Sequence, residues 1–404
     1  MQEKRALSRR RLMGGFAAAV GYAGLSPSRL LAQTPAPQAP PAGGPTPARA
    51  QRPRVTPEEY DALAKLSSNE NPYGPPESVM KAMTNAFKYS NRYGYPDGNL
   101  VGEIAKHHGV KTENILLGAG SGEILDVVGT TFLLGGKKVL GVEPSYSSVY
   151  QHATSIKTTA IKLPLGKDYR QNIPAMIKAA NDHASEIGLV YLCNPNNPTG
   201  IIVTKQEVQQ LLDGIPKGMP VLIDEAYHHF VDDPNYASSV PYVLEGRPVI
   251  IARTFSKIAA LAGMRLGYAV ATPEIIAKMR PYSMGSINAL VKHGGAASLK
   301  DTASQADVKR KTIDVRKKTA AELEAHGYRT IPSETNFFMV HLGGRQVQPV
   351  IEEFRAKKVL VGRPFPPMTD FMRVSVGTPE EMARFTTAFK EIFPAKGKAS
   401  TAGL

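Results

Sequence analysis

Cysteine is nearly missing from this chain of 404 residues. The single Cys193 cannot close an intramolecular disulfide, and no cysteine-based metal cluster is possible. It follows the apolar run Leu189 to Leu192, which predicts a buried structural thiol. Long apolar stretches are also lacking. The weakly apolar run Gly14 to Leu25 is too short and too rich in glycine and alanine to span a bilayer, and no other stretch is longer, so no stable membrane anchoring is expected. Internal repeats are absent. The histidine pairs His107-His108 and His228-His229 are adjacent in sequence and cannot share a helix face, which argues against metal ligation.

Basic residues outnumber acidic ones, giving a formal charge of +14. The excess is uneven. Residues 1–54 hold nine basic side chains and one acid, so 8 of those charges sit there and 6 on the remainder. The mild balance of the body suits anionic small molecules. No basic stripe interleaved with aromatics is present, which argues against nucleic acid. The runs Lys309-Arg310-Lys311 and Arg316-Lys317-Lys318 read as the wet face of a helix.

Arg9-Arg10 ahead of the apolar run and Leu30-Leu31-Ala32 resemble a Tat export signal over residues 1–32. This implies a periplasmic or secreted protein, or a cytoplasmic one if the signal does not function. Residues 33–56, rich in proline and alanine, cannot bury enough surface to offset ordering and read as a disordered linker.

The body alternates buried-looking runs with helical patterns. Strands are expected at Asn114–Leu117, Lys138–Val142, Gly188–Leu192, Val221–Ile223, Val249–Ala252 and Leu266–Val270, with a helix over Glu123–Leu134. Two-sided apolar runs of this kind suit a mostly parallel sheet with helices between, an α/β architecture. After residue 298 the pattern becomes α+β: a charged helix over Thr302–His326, strands near Phe337–His341 and Met372–Val376, and helices over Val350–Lys357 and Pro379–Ile392. The expected division is an arm at 57–83 joining the small domain, a large domain at 84–297, a small domain at 298–393 and a tail at 394–404.

Four motifs carry chemistry. In Thr254-Phe255-Ser256-Lys257, with Arg265 eight residues on, the lysine can hold a phosphorylated aldehyde as a Schiff base while hydroxyls and guanidinium take the phosphate. Alone, it also reads as a surface lysine at a strand end. In Val221–Tyr227, Asp224 ends a buried strand, where a carboxylate needs a partner such as a ring N–H; Tyr227 could then reach an oxygen on that ring. An N-cap aspartate is the plainer alternative. The loop Asn194-Pro195-Asn196-Asn197-Pro198-Thr199-Gly200 is rigid, and Asn197 can donate to the same oxygen; turns share this composition. Gly118-Ala119-Gly120-Ser121-Gly122 between strand and helix makes an anion site from backbone N–H groups. A dinucleotide fingerprint fails there because the third glycine position is Glu123, and no P-loop lysine follows.

In order along the chain, these motifs resemble fold-type I pyridoxal-phosphate enzymes, the aspartate-aminotransferase-like class I/II aminotransferases, and within them histidinol-phosphate aminotransferases, over roughly residues 60–393. Leu66–Gly74 is similar to that subfamily's N-E-N-P-Y-G segment beside the substrate, which implies substrate roles for Asn71 and Tyr73. Tyr95-Pro96 resembles a motif whose tyrosine reaches the cofactor phosphate of the neighbouring subunit, implying a homodimer with shared active sites. Pro144-Ser145-Tyr146 resembles the motif whose ring stacks on the cofactor. Met372–Thr378 resembles the strand whose arginine, here Arg373, grips the substrate anion. Val361–Pro367 supplies Arg363 near the subfamily's second substrate arginine, at a shorter spacing.

The resemblance implies pyridoxal 5′-phosphate as cofactor, held by Ser121, Gly122, Thr254, Ser256 and Arg265 at the phosphate, with Tyr146, Asn197, Asp224, Tyr227 and Lys257 around the ring. No metal is implied. The expected activity is amino transfer from an amino acid or related anionic amine to a 2-oxo acid, with Lys257 as base. Another chemistry on the same fold (decarboxylase, lyase, racemase or amino-acid oxidase) is the first alternative. An exported binding protein that has lost catalysis is the second, and the presence of both Lys257 and Asp224 argues against it.

Overall fold

The computed structural model describes residues 56–395. The export-signal segment and all but the last residue of the linker lie outside them, as does most of the C-terminal tail. Twelve strands occur among the described residues: β1 Ala64–Leu66, β2 Ile115–Gly118, β3 Lys138–Glu143, β4 Ala160–Pro164, β5 Ile187–Cys193, β6 Val221–Asp224, β7 Val249–Thr254, β8 Gly267–Val270, β9 Thr330–Ile331, β10 Phe337–His341, β11 Val359–Val361 and β12 Phe371–Ser375.

Seven of them form one sheet in the order β2-β8-β7-β6-β5-β3-β4. Pairing is parallel from β4 through β7, while β8 runs antiparallel to both β7 and β2. The fold class is therefore the expected mostly parallel α/β. The strands read from sequence are present to within two residues at each end. Val139, Leu140, Leu189, Val190, Leu222, Ile223, Ile250 and Ile251 are all fully buried, because helices cover both faces.

This topology puts the C-terminal ends of β2, β3, β5, β6 and β7, with the start of β8, along one sheet edge. In open α/β sheets that edge is where ligands bind. The helix Ser121–Leu133 leaves it after Gly120, whose φ of +87° lets the chain turn sharply into the first helical residue. Its Ile124, Leu125 and Val128 are buried against the sheet.

The remaining strands make two small sheets, β1-β11 and β12-β10-β9. Their core joins Leu66, Phe354, Phe385, Phe389 and Phe393. Burial of each such side chain contributes about 1.5–3 kcal/mol. The helix Pro379–Ile392 is set by Thr378, whose side chain caps the Glu381 N–H while Glu381 caps Thr378 in return. The helix expected from Val350 starts three residues earlier, at Val347, with Pro349 in its first turn where no N–H is needed. Residues 57–83 are shared: β1 pairs with β11, whereas Val79 and Met83 of the helix Glu77–Ala86 pack into the core of the large sheet.

No helix among the described residues is long and apolar enough to cross a membrane. Among the same residues, no group of three or more His, Cys, Asp or Glu is placed to hold a metal. His108 instead meets the Tyr268 hydroxyl at 2.8 Å. Cys193 is buried, its Sγ 3.4 Å from the Pro195 carbonyl, and burial pushes its thiol pKa up.

Candidate active site

A cleft of about 240 Å³ opens at that sheet edge. Ser121, Gly122, Tyr146, Asp224, Tyr227, Thr254, Ser256, Lys257 and Arg265 line it together with Ser68, Glu70, Ala226 and Ala262. Nine residues singled out in the sequence are thus brought together from five different strand ends.

Asp224 ends β6 and is 2% exposed. The Ala226 N–H donates to its Oδ1 at 3.2 Å and the Tyr191 hydroxyl to its Oδ2 at 3.4 Å. Burial dominates these bonds and raises its pKa to about 6. Lys257 follows the turn after β7. Its Nζ donates to the Ser68 carbonyl at 3.1 Å and lies 5.7 Å from the centre of the Tyr227 ring. Burial, with the nearby Arg373 cation, lowers its pKa to about 8, while Glu70 and Asp224 oppose the shift. A lysine of this kind is partly neutral near physiological pH and is a competent nucleophile and base.

At one end of the cleft the N-terminus of Ser121–Leu133 faces Arg265. The Arg265 backbone is left-handed at φ +60°, and its Nη1 donates to the Ala262 carbonyl at 2.8 Å. A Cβ on Gly120 would lie 2.1 Å from Arg265 Nη2, and one on Gly267 would lie 2.3 Å from the Ser121 nitrogen. The two glycines let strand, turn and guanidinium close on one another. Thr254 Oγ1 accepts from the Ser256 N–H at 3.0 Å, which fixes the hydroxyl-bearing turn. Glu123, the residue that breaks the dinucleotide pattern, accepts from the Ala119 N–H at 2.6 Å and the Met284 N–H at 2.9 Å, and so ties the glycine turn to its neighbour loop.

Tyr227 is 5% exposed. Its hydroxyl accepts from Asn69 Nδ2 at 3.0 Å and Asn197 Nδ2 at 3.3 Å. Burial raises its pKa, so the phenol stays protonated. The guanidinium of Arg373, in β12, donates to Asn197 Oδ1 at 2.8 Å and to the Ser67 carbonyl at 2.6 Å. Burial lowers its pKa to about 10, and its Nε is buried without a hydrogen-bond partner. An amine, a ring-nitrogen acceptor and an anion cradle therefore share one cleft, and this donor set fits a phosphorylated pyridine aldehyde.

Other expected residues sit elsewhere. Asn71 and Tyr73 do not line this cleft: Asn71 Nδ2 donates to the Ile258 carbonyl at 2.9 Å and its Oδ1 accepts from the Tyr73 N–H. They brace the turn after Lys257. Tyr95 lies outside the cleft of its own chain and donates to the Ile287 carbonyl at 2.8 Å. Arg363 is exposed and stacks on Phe365 at 4.3 Å, the ring that Arg373 also meets at 4.9 Å. Sequence reasoning missed Ser68, Asn69, Glu70 and Tyr191. Ser68, Asn69 and Glu70 lie in the Leu66–Gly74 segment read as flanking the substrate, which was the available signal; Asn69 has a left-handed backbone at φ 53°, a conformation asparagine tolerates better than most residues.

The model of the aminotransferase class I and II family matches residues 62–389. A histidinol-phosphate aminotransferase of Moorella thermoacetica is 36% identical over 338 residues, 82% of this chain and 85% of that protein. One of Brevibacillus brevis is 32% identical over 341 residues, 82% of this chain and 90% of that protein. The crystal structure of histidinol-phosphate aminotransferase from Sinorhizobium meliloti in complex with pyridoxal-5′-phosphate shares the fold at a TM-score of 0.76 and 24% identity, covering 86% of this chain and 96% of that one.

Proposed function

The chain belongs to the aminotransferase class I and II family, and on that premise we propose how its residues divide the work and which donors it takes. It is an aminotransferase dependent on pyridoxal 5′-phosphate. The bound cofactor supplies an electrophilic carbon for the amino group and a ring that accommodates the electron pair left by the departing α-proton.

Lys257 would hold the cofactor's aldehyde carbon, and its Nζ is the base that would take the donor's α-proton and return it. Its lowered pKa supports this reading, because a neutral amine is available near pH 8. Asp224 would pair with the ring N–H. Asn197 and Tyr227 would donate to the ring oxygen, and Tyr146 would lie against the ring. Ser121, Gly122, Thr254, Ser256 and Arg265 would hold the phosphate. Arg373 binds the donor's anionic group, where its unpartnered Nε gives a buried donor to satisfy.

The donor we favour is an amine with an anionic group, of the histidinol phosphate class, passing its amino group to a 2-oxo acid. One observation carries this: Arg373 is bonded to Asn197, which reaches Tyr227 of the cleft, its Nε is buried without a partner, and a second arginine stacks on the same Phe365. Turnover of histidinol phosphate, aromatic amino acids and their uncharged analogues with 2-oxoglutarate tests it. Anionic donors should be used and uncharged analogues rejected, and Arg363→Ala should weaken phosphate-bearing donors most. Equal use of uncharged amines would oppose the reading.

A homodimer fits the Tyr95-Pro96 motif and the exposed Tyr93 and Met284, which offer apolar surface to cover. Export is supported by Arg9-Arg10, the apolar run that follows and Leu30-Leu31-Ala32. Retention of an Arg9→Lys/Arg10→Lys variant in the cytoplasm, against a periplasmic parent, tests it.

A further inference from the structure

Behind the cleft lies a polar cluster that the reaction as described does not use. Glu225 and Arg253 are 0% and 2% exposed at the side chain and form an ion pair at 2.6 Å. Glu225 Oε1 also accepts from the Ser239 N–H at 2.7 Å, and its Oε2 from the Ser238 hydroxyl at 3.1 Å. Arg253 donates to the same Ser238 hydroxyl at 2.9 Å and to the ring of His228. Burying two charges is costly unless each is fully met, and here Arg253 Nε stays buried without a hydrogen-bond partner, so the pair calls for a reason beyond stability.

The position of the pair supplies one. Glu225 directly follows Asp224, and its N–H donates to the Ala252 carbonyl at 3.0 Å, continuing the β6–β7 ladder by one residue. Arg253 follows Ala252, the register partner of Asp224, and is itself paired with Tyr268 of β8. Alternation along a strand sends Asp224 to one face and Glu225 to the other. The pair therefore bolts the end of β6 to the end of β7 from the face opposite Asp224. It does so one residue beyond Asp224 and four residues before Lys257.

We propose that the buried Glu225–Arg253 ion pair is a positioning pair for the transfer reaction, fixing Asp224 relative to Lys257 so that ring nitrogen and reacting carbon are held together. The idea rests on Asp224 and Lys257 serving the cofactor. Loss of the pair lets the β6 and β7 ends shift against each other. The charge on Glu225 also bears on Asp224, raising its proton affinity. Neither residue lines the cleft, so the effect falls on turnover and on the cofactor's spectrum rather than on donor binding.

The test replaces both charges with apolar side chains of similar size, Glu225→Leu/Arg253→Met, a change that buried pairs can tolerate without unfolding. Holoenzyme is measured by pH titration of its visible absorption band, by kcat and KM, and by thermal melting. The expected result is a kcat about tenfold lower with KM little changed, and a band midpoint displaced by about half a pH unit or more. A folded double variant with the parental midpoint and kcat would overturn the proposal and leave the pair as a stability element. Should that variant not fold, Arg253→Lys keeps the charge but loses the fork. It should shift the midpoint in part and lower kcat a few-fold, and parental values for both would overturn the proposal equally. A Lys257→Ala variant that retains the visible band would instead strike at the cofactor reading on which the proposal stands.

Discussion

Arg373 donates to Asn197 at 2.8 Å, and the amide nitrogen of the same Asn197 reaches the Tyr227 hydroxyl at 3.3 Å. The residue placed to meet a substrate anion is thereby joined to the two placed beside the cofactor ring. Arg373 comes from β12 and Asn197 from the loop after β5, so the contact links the small sheets to the large one.

That link makes the two residues energetically dependent on each other. Arg373→Gln removes a charge-assisted contact and should raise KM for anionic donors by about 10–100-fold. Asn197→Ala alone should lower kcat. Combined, the two losses should be less than multiplicative, because each single change already breaks the shared bond. Steady-state kinetics of the four proteins give the coupling, and strict multiplicativity would show that the bond carries no functional weight.

Asp224 has a pKa raised from 3.8 to about 6 by burial. The folded cofactor-free protein therefore binds this proton more tightly than the unfolded chain. Its stability falls as pH rises between about 4 and 6, and the loss is complete above that window. Asp224→Asn should remove the slope and stabilise the cofactor-free protein at pH 7.5 by on the order of 2–3 kcal/mol. The same variant should lose at least about 100-fold in kcat, since the ring nitrogen no longer meets an anion. Denaturant melts across pH, paired with assays of the holoenzyme, separate the two effects.

Gly120→Ala probes the anion cradle. The new Cβ would sit 2.1 Å from Arg265 Nη2 on a backbone at φ +87°. The end of an arginine can swing away, so the fold should survive while the phosphate contact is lost. Cofactor affinity should fall about 10–100-fold, with no matching change in donor KM once the cofactor is saturating. Equilibrium titration with pyridoxal phosphate measures it.

Much of this was legible from sequence because the large sheet is buried on both faces. β5, β6 and β7 are short apolar runs that end on a motif and β8 begins on one, so each motif lands at the same sheet edge. β4 escaped notice since Ala160–Pro164 is a half-exposed edge strand with Lys162 and Pro164 turned out to solvent. β1, β9 and β11 have two or three residues each and exist only through their partners. At the site, side chains that act as ligands and side chains that brace the backbone look alike in sequence. Asn69 and Asn71 both flank Glu70, yet Asn69 reaches Tyr227 while Asn71 holds the Ile258 carbonyl. Which does which is decided by a single left-handed residue.

The attachment of the cofactor to Lys257 is the central claim and has a direct test. Holoenzyme reduced with borohydride, digested and mapped by mass spectrometry should carry the phosphopyridoxyl group on the peptide containing Lys257, and a Lys257→Ala protein treated alike should carry none. Label on a different lysine, or an unlabelled Lys257 peptide from fully reduced active enzyme, would contradict the account.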